Sequence, residues 1–134
     1  AVYKLLMKDW SPGELDFIEE MKLLLLDRSG RLMSIYPLAK GGMDTDNLPH
    51  DPKVIFTAAL LTKAHQIIIA RNYPGGTFHP DYLDEYMIEQ LVEAGRILDL
   101  PLLDYMVVTP HGYYSHMRGG SNRSLVSPLK PGAE

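Results

Sequence analysis

The side chains of this chain able to ligate a metal are its carboxylates and five histidines, for its 134 residues include no cysteine. A cysteine nucleophile, a thiolate zinc knuckle and a disulfide framework are thereby excluded, and any metal would need His, Asp or Glu ligands. His50, His65, His111 and His116 show no paired ligand spacing and read as solvent-facing or turn residues. His79 stands alone in a loop that opens with Tyr73-Pro74-Gly75-Gly76 and closes on Asp81. Asp81 suits the N-cap of the next helix, and Asp84 its first turn, where the helix dipole favours a carboxylate. Gly75-Gly76 lacks the lysine and spacing of a phosphate-binding loop, so two glycines after a proline read as a tight turn. Trp10 with Phe17 fits either a docking patch or partly buried packing, and the sequence alone leaves both open.

These groups must be positioned by a short series of elements. Met21-Lys22-Leu23-Leu24-Leu25-Leu26 and Leu32 to Tyr36, separated by Arg28-Ser29-Gly30-Arg31, predict a β-hairpin. Upstream, Ser11-Pro12-Gly13-Glu14 carries a capping-box signature and predicts a short helix or turn. Asp51-Pro52 pairs a capping acceptor with a first-turn proline, and Val54, Ile55, Ala58, Ala59 and Leu61 supply a helical face. Gln66-Ile67-Ile68-Ile69-Ala70 is β-branched and of strand length, as expected of a central strand buried on both sides. An amphipathic helix follows, with Leu83, Met87, Leu91, Ala94 and Leu98 flanked by Ile88 and Val92, and Glu85, Glu89 and Glu93 opposite. Pro101 ends it, Leu102 to Thr109 predicts a strand, and Tyr113 to Met117 another. The order β-β-α-β-α-β-β predicts a mixed α/β (α+β) sandwich, a β-sheet between helices. One domain is expected over 1–118. Residues 119–134, rich in Gly, Ser, Asn and Pro, are expected to form a flexible tail.

A hydrophobic content of 46% suffices for one core, and no apolar run approaches a membrane span. The formal net charge of −4 argues against a domain whose task is to hold phosphate backbones. A nucleic-acid reading through Arg71, Arg118 and Arg123 is weakened accordingly.

The segment from Ile67-Ile68-Ile69-Ala70-Arg71-Asn72-Tyr73-Pro74-Gly75-Gly76 to His79-Pro80-Asp81-Tyr82-Leu83-Asp84 resembles the signature of RadC-like JAB (MPN, JAMM) domains. There a hydrophobic strand runs into His-Asn-His-Pro-Ser-Gly and then Pro-Ser-x-x-Asp. Leu91 to Leu98 with Pro101-Leu102-Leu103-Asp104 resembles the family's next helix and strand, and Tyr113-Tyr114-Ser115 its final strand. The resemblance implies a JAB/MPN, cytidine-deaminase-like architecture. It also implies zinc held by two strand-end histidines and an aspartate, with an upstream glutamate as general base for amide or isopeptide hydrolysis.

Carried over residue by residue, Glu19 matches the general base and Asp84 the aspartate ligand, but Arg71 and Tyr73 stand at the two histidine positions. Gly75 and Asp81 replace the motif serines, and Tyr105 stands where relatives often show a histidine. A guanidinium stays protonated and has no lone pair for zinc, so no cofactor is expected. Arg71 is expected to take the metal's place and pair with Asp84, with Glu19 and the Tyr73 hydroxyl nearby. The reading that follows is a catalytically degenerate, metal-free JAB domain, a binding or scaffold module for an unidentified protein partner or a second copy of itself. The resemblance further implies a bacterial, cytoplasmic setting and a nominal DNA-repair label. The rival is a zinc hydrolase remodelled around Glu19, His79 and Asp84.

Overall fold

The computed structural model describes residues 2–15, 18–40, 51–72, 82–109 and 112–119. Two short helices, α1 (Val2–Asp9) and α2 (Pro12–Leu15), precede the hairpin of β1 (Glu20–Leu26) and β2 (Leu32–Lys40). Helix α3 (Pro52–Leu61), strand β3 (Gln66–Asn72), helix α4 (Tyr82–Leu98), strands β4 (Leu102–Thr109) and β5 (Gly112–Ser115) and helix α5 (His116–Gly119) follow. The sheet order is β2-β1-β3-β4-β5, with β3 in the middle as expected. Only β3 and β4 run parallel, because the α4 crossover returns the chain to the same end of the sheet.

The leucine and isoleucine runs are explained by burial on both faces. Met21, Leu23 and Leu25 join Ile67, Ile69, Tyr105 and Val107 under α3 and α4. Leu24, Leu26, Ile68, Ala70, Met106 and Val108 pack against Tyr3 and Leu6 of α1 and against Trp10. With side chains alternating across the sheet, helices on both sides demand apolar residues at consecutive positions. This is an α+β fold, a mixed five-stranded sheet with helices on either face. No described helix is long and apolar enough to cross a membrane.

Several elements depart from expectation. Trp10 is buried in the α1-side core, which decides between packing and a docking patch. β2 continues past Tyr36 to Lys40, and tolerates Pro37 because it is an edge strand whose outer backbone groups need no ladder partner. The final strand stops at Ser115, and His116 and Met117 turn into α5 because the Asp104 carboxylate accepts the Met117 N–H at 3.1 Å. Val54 and Leu61, grouped with Ile55, Ala58 and Ala59 on one helical face, are exposed, Leu61 at 79%. Ile55, Phe56, Ala58 and Ala59 face inward instead. On α4, Val92 and Leu98 are exposed, and Gly95 lies buried in line with Leu91. The chain reverses at Asp99, whose φ is +56°, and Leu100 tucks under the helix with its N–H bonded to the Gly95 carbonyl at 2.8 Å. Leu100, and not Leu98, is the leucine buried at this end of α4. Apart from Gly119, the expected tail lies outside the described residues.

The hairpin turn is built by one carboxylate. Asp27 Oδ1 accepts the N–H of Arg31, the N–H of Ser29 and the Ser29 hydroxyl, each at 2.8–2.9 Å. The Arg31 N–H, followed by the Ser29 hydroxyl, holds the Asp27 carboxyl below the usual carboxylate range. Its stabilisation is therefore fully present above the unfolded-state pKa and is lost as pH falls through the lower folded-state value. Asp27→Asn is expected to melt below the parent at pH 7, with the gap closing on acidification. Thermal melts by circular dichroism between pH 7 and pH 2 check this, and a gap that widens toward acid would contradict it.

Candidate functional site

The β1–β3 register sets the site. Met21 of β1 lies opposite Arg71 of β3, so Glu19, two residues before Met21, falls on the same side of the chain as Arg71. Arg71 is 4% exposed, and its Nη2 donates to Glu19 Oε1 at 2.9 Å. Such a charge-assisted bond answers much of the desolvation cost that burying a guanidinium incurs.

Asn72, the next residue, points to the other face and is fully buried. Its Oδ1 accepts the Glu20 N–H at 2.7 Å, and its Nδ2 donates to the carbonyls of Leu15 and Ile18 at 2.8 and 2.6 Å. One amide thereby pins both ends of the turn that carries Glu19. Lys22, a third buried polar residue, lies on that same face. Its ammonium donates to Asp9 Oδ2, stands 3.7 Å from Glu20 Oε2 and sits 4.4 Å above the Trp10 ring. This cluster ties α1 to β1 through an ion pair and a cation–π contact. The Trp10 Nε1 is buried without an acceptor among the described residues.

Of the substitute ion pair expected among Arg71, Asp84 and Glu19, the Arg71–Glu19 contact lies within the described residues. Asp84 lies in the first turn of α4, but its side chain is outside the described residues, as are Tyr73, Gly75, His79 and Asp81. The expected Arg71–Asp84 contact, the Tyr73 hydrogen bond and the His79 alternative therefore fall there too. Among the other histidines, His65 is exposed, and His116 is half-buried with its Nδ1 3.2 Å from the Tyr114 hydroxyl. Sequence reasoning assigned no role to Lys22, Asn72 or Asp104. The available signal was the same for all three: a lone polar residue inside or ending an apolar run that is buried on both faces, where it must have a partner.

A family model described as the RadC-like JAB domain matches residues 1–121. This chain belongs to that family. A UPF0758 protein of Symbiobacterium thermophilum is 32% identical over 103 residues, which is 77% of this chain and 43% of that protein. UPF0758 proteins of Flavobacterium johnsoniae and Thermosynechococcus vestitus are 32% and 33% identical, over 81% and 72% of this chain and 46% and 38% of their own lengths. The JAB domain described here thus spans less than half the length of the curated relatives it matches.

The fold family of this JAB domain implies a zinc ion at the end of β3. The guanidinium of Arg71 stands at the end of β3 where the first motif histidine is expected, and it offers only N–H donors. Among the described residues no three His, Asp or Glu side chains come together in a metal-holding group. Arg71 itself cannot ligate zinc, and the Asp84 and His79 side chains lie outside the described residues.

Proposed function

We propose that this RadC-like JAB domain is a catalytically inert, metal-free binding module in which an Arg71–Glu19 ion pair stands where relatives hold zinc. The observation that carries this reading is the buried guanidinium bonded to the carboxylate at the general-base position. A fixed cation there answers the charge a metal would answer, and the Glu19 oxygen that would receive a proton from water already accepts a guanidinium N–H. The strand and turn that would present the site are kept, pinned by Asn72, as a binding scaffold requires. Its ligand is a protein, either a separate partner or a second copy of the domain, in a bacterial cytoplasm. The DNA-repair label of the family has no support from charge or from Arg71, which is buried.

Zinc titration by calorimetry tests this. The parent is expected to take up no zinc, while the double substitution Arg71→His with Tyr73→His binds it and loses it again when Asp84→Ala is added. Stoichiometric zinc binding by the parent would overturn the reading in favour of a hydrolase remodelled around Glu19, His79 and Asp84.

A further inference from the structure

On the sheet face opposite Arg71, a cavity of about 330 Å³ lies between the start of α1 and the β4–β5 end of the sheet. Leu26 and Met106 give it apolar walls, Tyr3 and Tyr113 line it with rings whose centroids are 5.0 Å apart, and Asp104 and Ser115 contribute its polar groups. Its volume lies at the lower end of the range of small-molecule sites.

Asp104 is the unusual member. It is 8% exposed, and its carboxylate accepts the Ser115 hydroxyl, the Tyr105 N–H at 2.8 Å and the Met117 N–H at 3.1 Å. All three donors are neutral. Arg71 and Lys22, buried elsewhere in the fold, each have an opposite charge within 4 Å, whereas no cation pairs with Asp104 among the described residues. A carboxylate has about four acceptor positions, so one on Oδ2 is left for a further donor. We propose that this cavity binds a small organic ammonium ion, a protonated amine carrying an apolar group. The ammonium donates to Asp104 Oδ2, the apolar group lies against Leu26 and Met106, and the tyrosine rings add cation–π attraction. An anion would face the carboxylate, a neutral apolar ligand would leave the buried charge unanswered, and a single carboxylate is too few ligands for a divalent cation. The Tyr3 hydroxyl donates to the Thr109 carbonyl at 3.0 Å, which holds that ring in place before any ligand arrives.

The test titrates the whole chain with benzylammonium, benzyl alcohol and benzoate, followed by calorimetry and by amide chemical shifts. Benzylammonium is expected to saturate and to move the resonances of Leu26, Met106 and Tyr113, with an affinity about tenfold or more above that of benzyl alcohol. Benzoate is expected not to bind. Asp104→Asn should abolish the preference for the charged probe. Because that substitution also touches the start of α5, Tyr113→Leu serves as the second variant, leaving the Asp104 hydrogen bonds in place while weakening benzylammonium more than benzyl alcohol. Equal affinity for the charged and neutral probes, shifts confined to other regions, or no saturation by benzylammonium would overturn the proposal.

Discussion

Glu19→Ala is expected to lower the stability of the domain by about 3 kcal/mol, the low end of what removing one partner of a buried ion pair costs. The size follows from the asymmetry of burial. The Glu19 side chain keeps 21% of its exposure while that of Arg71 keeps 5%, so deleting the carboxylate takes a partner from the more deeply buried charge. Arg71 has further interactions, which keep the loss from reaching the top of the range. Arg71→Met alone should cost less, because Glu19 can turn toward water. The double substitution Arg71→Met with Glu19→Ala should be closer to the parent than the two single losses summed, since neither charge is then left without its partner. Urea unfolding of the four proteins checks this, and additive losses would mean that the 2.9 Å contact contributes no coupling.

The second large effect is expected at Gly95. Glycine-to-alanine in a helix ordinarily gains up to about 1 kcal/mol. Here a Cβ would stand 2.4 Å from the Leu100 carbonyl oxygen and 3.3 Å from its carbon, both backbone atoms. The same carbonyl group belongs to the residue whose N–H closes α4 onto the Gly95 carbonyl, so the clash cannot be relieved by a side-chain rotation. Gly95→Ala should therefore lose about 3 kcal/mol, the cost of forcing extra volume into a packed site, and lower the melting temperature by on the order of 10 °C. A melting temperature unchanged or raised would show that the α4–β4 connection yields, and that the close approach is not needed for packing.

Gly95 also shows why helix ends were hard to read. Both α3 and α4 close with a bond from a residue's N–H back to the carbonyl five positions earlier, Ala64 to Ala59 and Leu100 to Gly95. In each the residue at positive φ, Lys63 at +60° and Asp99 at +56°, is not glycine, so the usual stop signal is missing. The Asp51-Pro52 start, by contrast, was plain, because an N-cap acts through its own side chain, and Asp51 does accept the Lys53 N–H at 2.9 Å. Helix α1 was not foreseen: eight residues make a marginal helix in isolation, and its stability comes from Tyr3 and Leu6 packing on a sheet assembled from distant strands.

By itself the sequence determined the family, the order of strands and helices from the hairpin to β5, and β3 as the central strand. All of these rest on local residue type and spacing, which are complete in one dimension. The tertiary structure decided how the buried polar groups are paired. Glu19 meets Arg71 because an antiparallel register places Met21 opposite it, Asn72 holds the turn before β1 from 52 residues away, and Asp104 shares a cavity with Tyr3 because α1 lies across that face. The residue types announce that a buried charge needs an answer. Which group answers it depends on strand register and helix placement, and these are settled only when the whole core packs together.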